Sequence, residues 1–171
     1  MLKKVKVHLL SERHGVDGSL FEEGEDDALL LPQLWLPEEQ KETAPEQAEL
    51  LCEGRLRITP DLFSLSYEES ALTGMEGSST QLSFRLCEPT LVSMIRAGSV
   101  NTTLVFEKGR RHACTYQTPY MPFEICVYTL SLDNRLREDG TLSLDYIVEI
   151  HGAQAERCRM TLTVKKDNTT L

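Results

Sequence analysis

No run of apolar residues in this chain of 171 approaches the roughly 18 that a membrane-spanning helix needs, so no segment reads as a helical span and no membrane partner is expected. Basic residues are not in excess either: 18 Lys and Arg stand against 27 Asp and Glu, for a formal net charge of −9. The cationic face that a phosphate backbone requires is missing, which sets nucleic acid aside as a partner. The five cysteines, Cys52, Cys87, Cys114, Cys126 and Cys158, are odd in number, widely spaced and free of any C-x-x-C pair. That spacing excludes a zinc ribbon and argues against a disulfide framework. They are expected to be small, inert, buried hydrophobes in a reducing compartment. Also lacking are G-x-S-x-G, a P-loop, H-E-x-x-H and a Gly-rich dinucleotide turn, and His8, His14, His112 and His151 show no spacing that couples one to a nucleophile. No cofactor is expected.

The first ten residues carry Lys3, Lys4, Lys6 and His8 alternating with apolar positions, with Glu12-Arg13 following at once. This lacks the continuous apolar core and small-residue cleavage site of a signal peptide, and reads instead as a first strand of a cytoplasmic protein. The charge is unevenly placed. Residues 15 to 48 hold ten acids and one base, Lys41, whereas the remainder holds 17 of each sign. The acidity therefore belongs to one segment and the rest of the chain is balanced.

From residue 49 onward, apolar residues recur at every second position, the period of a half-buried strand. Leu142, Leu144, Tyr146, Val148 and Ile150 form one such row; Cys158, Met160, Leu162 and Val164 form another. Leu82, Phe84 and Leu86 repeat the pattern, and Thr102, Leu104 and Phe106 do so more weakly. One dry face and one wet face is the pattern of antiparallel sheets. Turn residues interrupt the rows at Gly74 with Gly77, Glu88-Pro89, Ala97-Gly98, Lys108-Gly109, Asp139-Gly140 and His151-Gly152. The stretch from Phe123 to Leu136 reads as one long strand apolar on both faces, with Ile125 and Val127 on one side and Cys126, Tyr128, Leu130 and Leu132 on the other. About ten strands with no room for crossover helices favour an up-and-down path in a single domain over residues 1–171. Closing the sheet would also remove its edges, although a sandwich competes.

Residues 15 to 48 break this pattern and read as an acidic insertion between the first two strands, mobile in part or lid-like. Ser19 to Glu22 fits a helix capping box. Leu29 to Pro37 is an apolar cluster whose two prolines forbid a regular element, and it contains the sole tryptophan. Leu34, Trp35 and Leu36 are expected either to fold back on the barrel as a latch or to dock a partner protein.

Several fragments, in order, resemble one known family. They are Glu53-Gly54, Leu65-Ser66-Tyr67-Glu68-Glu69, Leu72-Thr73-Gly74-Met75 and Ile95-Arg96-Ala97-Gly98, then Leu104 to Gly109, Tyr116-Gln117-Thr118-Pro119-Tyr120, Thr129 and Leu144-Asp145-Tyr146. The stretch from Glu53 to Val164 resembles the YwiB-like family, a bacterial group of unknown function. The resemblance implies an all-β, closed antiparallel barrel of the calycin (lipocalin-like) type with a ligand cavity, and brings no catalytic residues. Two departures stand out. The family continues Thr-Pro-Tyr with Gly where this chain has Met121-Pro122, and the acidic insertion is long.

Three constellations bear on function. His112, Cys114 and Tyr116 share a strand face, but two metal ligands without a third make no site, and no metal is expected. Glu68 and Glu69 are adjacent and so point to opposite faces, which rules them out as a paired-acid dyad. Tyr67 and Glu69 share a face with Phe63 and Leu65, and Arg96 shares one with Val92 and Met94. A buried Glu69 requires a cation such as Arg96. Arg96, Tyr67, Tyr116 and Tyr146 are then either the polar end of a ligand cavity or an internal ion pair with tyrosines capping the barrel rim. The leading expectation is a non-enzymatic module binding a small amphipathic or anionic molecule. A homodimerising or protein-interaction module and an uncharacterised enzyme, with Glu69 or His112 as the residue to test, stand as alternatives.

Overall fold

The computed structural model of the chain describes residues 2–15, 45–70 and 76–166. The period-two rows become ten strands: β1 (Leu2–Gly15), β2 (Glu46–Ile58), β3 (Leu62–Glu68), β4 (Ser79–Arg85), β5 (Glu88–Ala97), β6 (Asn101–Glu107), β7 (Arg111–Gln117), β8 (Pro122–Arg135), β9 (Thr141–Ile150) and β10 (Ala153–Lys166). Each pairs antiparallel with its neighbours in sequence, and β1 returns to pair with β10, so the sheet closes into an up-and-down barrel. No helix among the described residues is long and apolar enough to cross a membrane.

Alternation decides what lies inside. On β3 Phe63, Leu65 and Tyr67 point inward; on β5 Val92 and Met94 do; on β9 Leu142, Leu144 and Tyr146 do. Each such side chain contributes about 1.5–3 kcal/mol by leaving water. At one end of the barrel the Asn134 amide donates to the Pro89 carbonyl at 2.9 Å, the Leu86 N–H donates to the Asp61 carbonyl at 2.9 Å, and Leu136 is buried. At the other end β1 finishes at Gly15 and β2 begins at Glu46, beside the turns that follow β3, β5, β7 and β9. The strands around the wall also differ in length. β1, β2, β8 and β10 run for 13 or 14 residues, while β3, β4, β6 and β7 run for seven.

Three details depart from the sequence reading. The insertion is shorter than 15–48, because Gly15 lies on β1 and Glu46 to Ala48 on β2, paired with Arg13, Glu12 and Ser11. Backbone pairing continues there although both faces are polar, and hydrophobic alternation does not register such a stretch. Glu88-Pro89 is not a turn; the turn is Leu86-Cys87, and Pro89 stands at the start of β5, where a missing N–H is tolerated. Part of the two-faced apolar pattern of β8 comes from a register shift between Thr129 and Ser131, Cys126 and Tyr128 staying on the outer face. Ile125, Val127 and Thr129 are buried before it, and Leu132 packs against the core after it. Leu132 therefore belongs to the inner face and not with Cys126 and Tyr128, as expected of a bulge. After Tyr120 the turn is closed by Thr118, whose Oγ1 lies 2.9 Å from the Met121 carbonyl and 3.2 Å from its N–H. The Ser19–Glu22 capping box, the Leu29–Pro37 cluster and Leu34, Trp35 and Leu36 lie outside the described residues.

On the outer wall Asp145 receives Arg157 through two bonds, Nε to Oδ1 at 3.0 Å and Nη2 to Oδ2 at 2.8 Å, with Arg159 Nε 3.5 Å from Oδ2. The bonded Arg157 guanidinium holds the Asp145 carboxyl below its usual range. A depressed folded value means stability that is present above the ordinary aspartate range and is lost as pH falls through the folded one. Asp145→Asn should therefore cost about 1 kcal/mol in urea titrations at neutral pH, a partly exposed pair being worth no more. The gap to wild type should close as pH drops below the aspartate range.

Candidate functional site

The strand register aligns the inward residues into one rung around more than half of the barrel. Val5 stands opposite Gly54, Gly54 opposite Tyr67, Tyr67 opposite Thr80 and Thr80 opposite Arg96. Arg96 in turn stands opposite Thr102, Thr102 opposite Tyr116, and Tyr116 opposite Phe123. Cross-strand partners point to the same face, so this rung carries a polar arc into an interior that is otherwise apolar. From β3 to β8 it lies close to the turns that follow β3, β5 and β7.

Glu69, one residue beyond β3, completes the arc. Its N–H donates to the Ser78 carbonyl at 2.8 Å, which draws the chain back toward β4 and turns the carboxylate inward. Thr80 Oγ1 donates to Glu69 Oε1 at 2.5 Å, and Arg96 Nε lies 3.9 Å from that same oxygen. The pair is deeply buried, with 1% of the Glu69 side chain and 10% of the Arg96 side chain exposed. It is an ion pair without a direct hydrogen bond. Three buried atoms around it have no hydrogen-bond partner among the described residues: Tyr67 Oη, Glu69 Oε2 and Arg96 Nε. Orphaned buried groups of this kind cost about 1–3 kcal/mol each when nothing meets them.

Electrostatics tie in the rest. Burial acts to lower the Arg96 value, and the facing Tyr146, Glu69, Tyr67 and Tyr116 outweigh it, so the guanidinium stays charged. Burial, reinforced by Glu69, pushes the Tyr67 hydroxyl well above its usual range; burial, reinforced by Cys158, does the same to Tyr146. Both remain hydroxyls at neutral pH. The Tyr146 ring is anchored against Phe106 with centroids 4.8 Å apart, and Tyr116 packs on Phe123 at 5.2 Å.

The wall is only partly paired beside this arc. β6 and β7 pair only at Asn101–Gln117 and Thr102–Tyr116, although their sequences run antiparallel for seven residues each. Beyond the second pair Thr102 Oγ1 donates to the Thr115 carbonyl at 3.1 Å. The hairpin tip is held by β8 instead: the Gly109 N–H donates to the Thr129 carbonyl at 2.8 Å, and the Thr129 N–H donates to the Arg110 carbonyl at 3.2 Å. Along β5, β6 and β7 lies an open cleft of about 520 Å³, lined largely by outer-face residues such as Ile95, Thr103 and Thr115 and also by Arg96, Thr102 and Cys114.

The structure thus brings together Tyr67, Glu69, Arg96 and Tyr146, with Tyr116 half-buried on the same rung. Thr80 and Thr102 were missed, though Thr80 precedes Leu82 and Phe84 at the inward spacing and is fully buried. His112 does not join Cys114 as a ligand pair; its Nε2 bonds Glu107 Oε2 at 3.1 Å. Among the described residues no three His, Cys, Asp or Glu side chains converge as a metal site would require. The cysteines are all free, but they are not uniformly buried as expected: Cys158 is buried, Cys52, Cys114 and Cys126 are half-buried, and Cys87 is exposed. Cys87 sits in the two-residue β4–β5 turn, which has no inner face. Burial pushes the Cys158 thiol up to about 12 and raises Cys52, Cys114 and Cys126 as well.

A family model described as a domain of unknown function, DUF1934, matches residues 37–162. The crystal structure of the ywiB protein from Bacillus subtilis superposes with a TM-score of 0.67 at 18% identity, covering 98% of this chain and 94% of that one. That likeness is one of fold, a closed calycin-like barrel. No curated protein matches this chain.

Proposed function

The chain belongs to the DUF1934 family, a domain of unknown function, and from its barrel interior we propose that it is a non-enzymatic binding module for a small amphipathic molecule. The polar end of that molecule meets Arg96, Glu69, Tyr67 and Tyr146, and its apolar part lies in the β6–β7 cleft beside Val105 and Cys114. One observation carries the reading: the cleft along β5–β7 is lined by Arg96, whose Nε, like Tyr67 Oη and Glu69 Oε2, is buried without a hydrogen-bond partner among the described residues. Binding sites are clefts of several hundred Å³ with a few convergent polar groups, and this cleft is of that size. The chemistry of the site supports binding over catalysis. Its arginine is held charged, and the Tyr67 and Tyr146 hydroxyls and the Cys114 thiol are raised above their usual values, so these groups offer neither a nucleophile nor a base at neutral pH. Five free cysteines suit a reducing compartment, and we place the protein in the cytoplasm.

Native mass spectrometry of protein purified from cells without denaturation tests the proposal. A bound mass that is present in wild type and absent from Arg96→Met is expected. An unliganded mass, together with a crystal structure in which ordered water alone meets the three atoms, would refute it.

A further inference from the structure

We propose that the outer face formed by the start of β1, the end of β2 and the end of β10 docks on an anionic phospholipid surface. Composition hides this face, because the acids of the same three strands are counted with its cations. Register separates them. Lys6 stands opposite Lys165 and Lys4 opposite Arg55, two pairs of like charge directly across the ladder. Arg57 stands opposite Leu2, and Lys3 and Lys166 are exposed at the rim beside them. Residues 2–6, 53–58 and 164–166 thus carry seven cations and one acid, Glu53. Apart from Lys6, none of the seven makes an ion pair among the described residues. Like charges facing each other weaken a sheet, so the barrel gains nothing from this cluster and an external anion would relieve it.

At the far end of the same strands the sign reverses. Glu12, Glu46, Glu49 and Glu156 stand there, and the two arginines, Arg13 and Arg157, are engaged by Glu156 and Asp145. Lys4 and Glu12 lie on one strand, roughly 27 Å apart at the usual rise per residue. Charges are screened over about 8 Å at physiological salt, so the acidic end does not cancel the basic one at a surface that only the latter touches.

Three exposed apolar side chains select the partner. Leu2 is 65% exposed, Ile58 43% and Leu62 39%. They share one edge, Ile58 and Leu62 flanking the β2–β3 turn and Leu2 standing opposite Arg57. An anionic bilayer answers both features, its phosphates meeting the cations and its acyl boundary taking the apolar groups. A nucleic acid would leave those groups in water, and the described residues of this face offer no exposed ring on which a base could stack. Such a contact is peripheral, needs no membrane-spanning segment, and is independent of the interior binding reading.

Co-sedimentation of the full chain with vesicles of phosphatidylcholine and phosphatidylserine in equal parts tests the proposal, with pure phosphatidylcholine vesicles as the control. Wild type should pellet with the mixed vesicles at about 0.1 M salt, stay in solution with the control, and be released at about 1 M salt. Each cation at such a surface is worth about fivefold in binding, so Lys4→Gln with Arg55→Gln should bind about 25-fold more weakly. That variant removes a facing like-charge pair and should unfold no more easily than wild type. Leu2→Gln with Leu62→Gln keeps every charge and should weaken binding several-fold. Glu12→Gln with Glu49→Gln, at the far end, should change it less than about twofold. Failure of wild type to pellet with the mixed vesicles overturns the proposal, as does binding that either the Lys4 and Arg55 pair or the Leu2 and Leu62 pair leaves unchanged. Retention of polyuridine RNA without vesicle binding also overturns it and assigns the face to nucleic acid.

Discussion

Arg96→Met is expected to lower stability by about 3–5 kcal/mol in urea titrations, the usual cost of stranding one member of a buried ion pair. Glu69 would keep the Thr80 hydroxyl as its hydrogen-bond donor and lose its cation, with 99% of its side chain away from water. The double variant Arg96→Met with Glu69→Leu should regain most of the loss, because two apolar groups of similar volume need no solvation. That pair of results separates two causes. If the loss came from packing alone, removing Glu69 as well would deepen it. A single-variant loss below about 1 kcal/mol would mean that solvent reaches the carboxylate and the interior site is wet. The double variant should also lose the bound molecule while keeping the barrel, which makes it a better functional control than either single change.

The same residues show what a sequence can and cannot disclose. Arg96 follows Val92 and Met94 at the inward spacing, and Glu69 follows Leu65 and Tyr67, so period two alone places both charges inside. Burial then demands that they meet. Thr80 obeys the same spacing but is small and common on either face of a strand, and nothing marks it as the hydroxyl that binds Glu69. The rung from Gly54 to Phe123 depends on the register of seven successive strands, and register is set by turn lengths and bulges more than by composition. The break between β6 and β7 is likewise silent, since both strands alternate normally, and the hairpin tip bonds Thr129 of β8 instead of continuing the ladder. The polar start of β2 escapes for the opposite reason. Glu46 to Ala48 are held by backbone pairing to β1, with no buried row to betray them.

The barrel interior also redirects the chemistry that the sequence suggests. An arginine among tyrosines invites an anion; an arginine already facing a buried carboxylate does not. The distinction rests on one distance and on Thr80 holding Glu69 in place. In this barrel the buried charges of Arg96 and Glu69 answer one another, with the Thr80 hydroxyl bonded to the carboxylate.

Gly98→Val should be as damaging as loss of Arg96, although valine is a good strand residue and position 98 touches no ligand. Gly98 has φ +139°, and a Cβ there would lie 2.5 Å from the Gly77 carbonyl oxygen and 2.7 Å from Ser78 Cα. Both are backbone atoms with nowhere to rotate. Ser78 is fully buried, receives the Ser99 N–H on its Oγ at 3.1 Å, and offers its carbonyl to the Glu69 N–H. Forcing the turns apart therefore separates Glu69 and Thr80 on one side from Arg96, two residues before the glycine, on the other. Strain and overpacking together put the cost at about 3 kcal/mol or more. Gly152→Val is the control: φ there is +79°, and no atom lies within 4 Å of the added Cβ. It carries the dihedral penalty without the collision, about 1–2 kcal/mol. Thermal unfolding of the two variants should rank Gly98→Val well below Gly152→Val, and the Arg96 Nε–H resonance should move only in the former. Equal losses would mean that the approach of the two turns does not hold the buried pair in register.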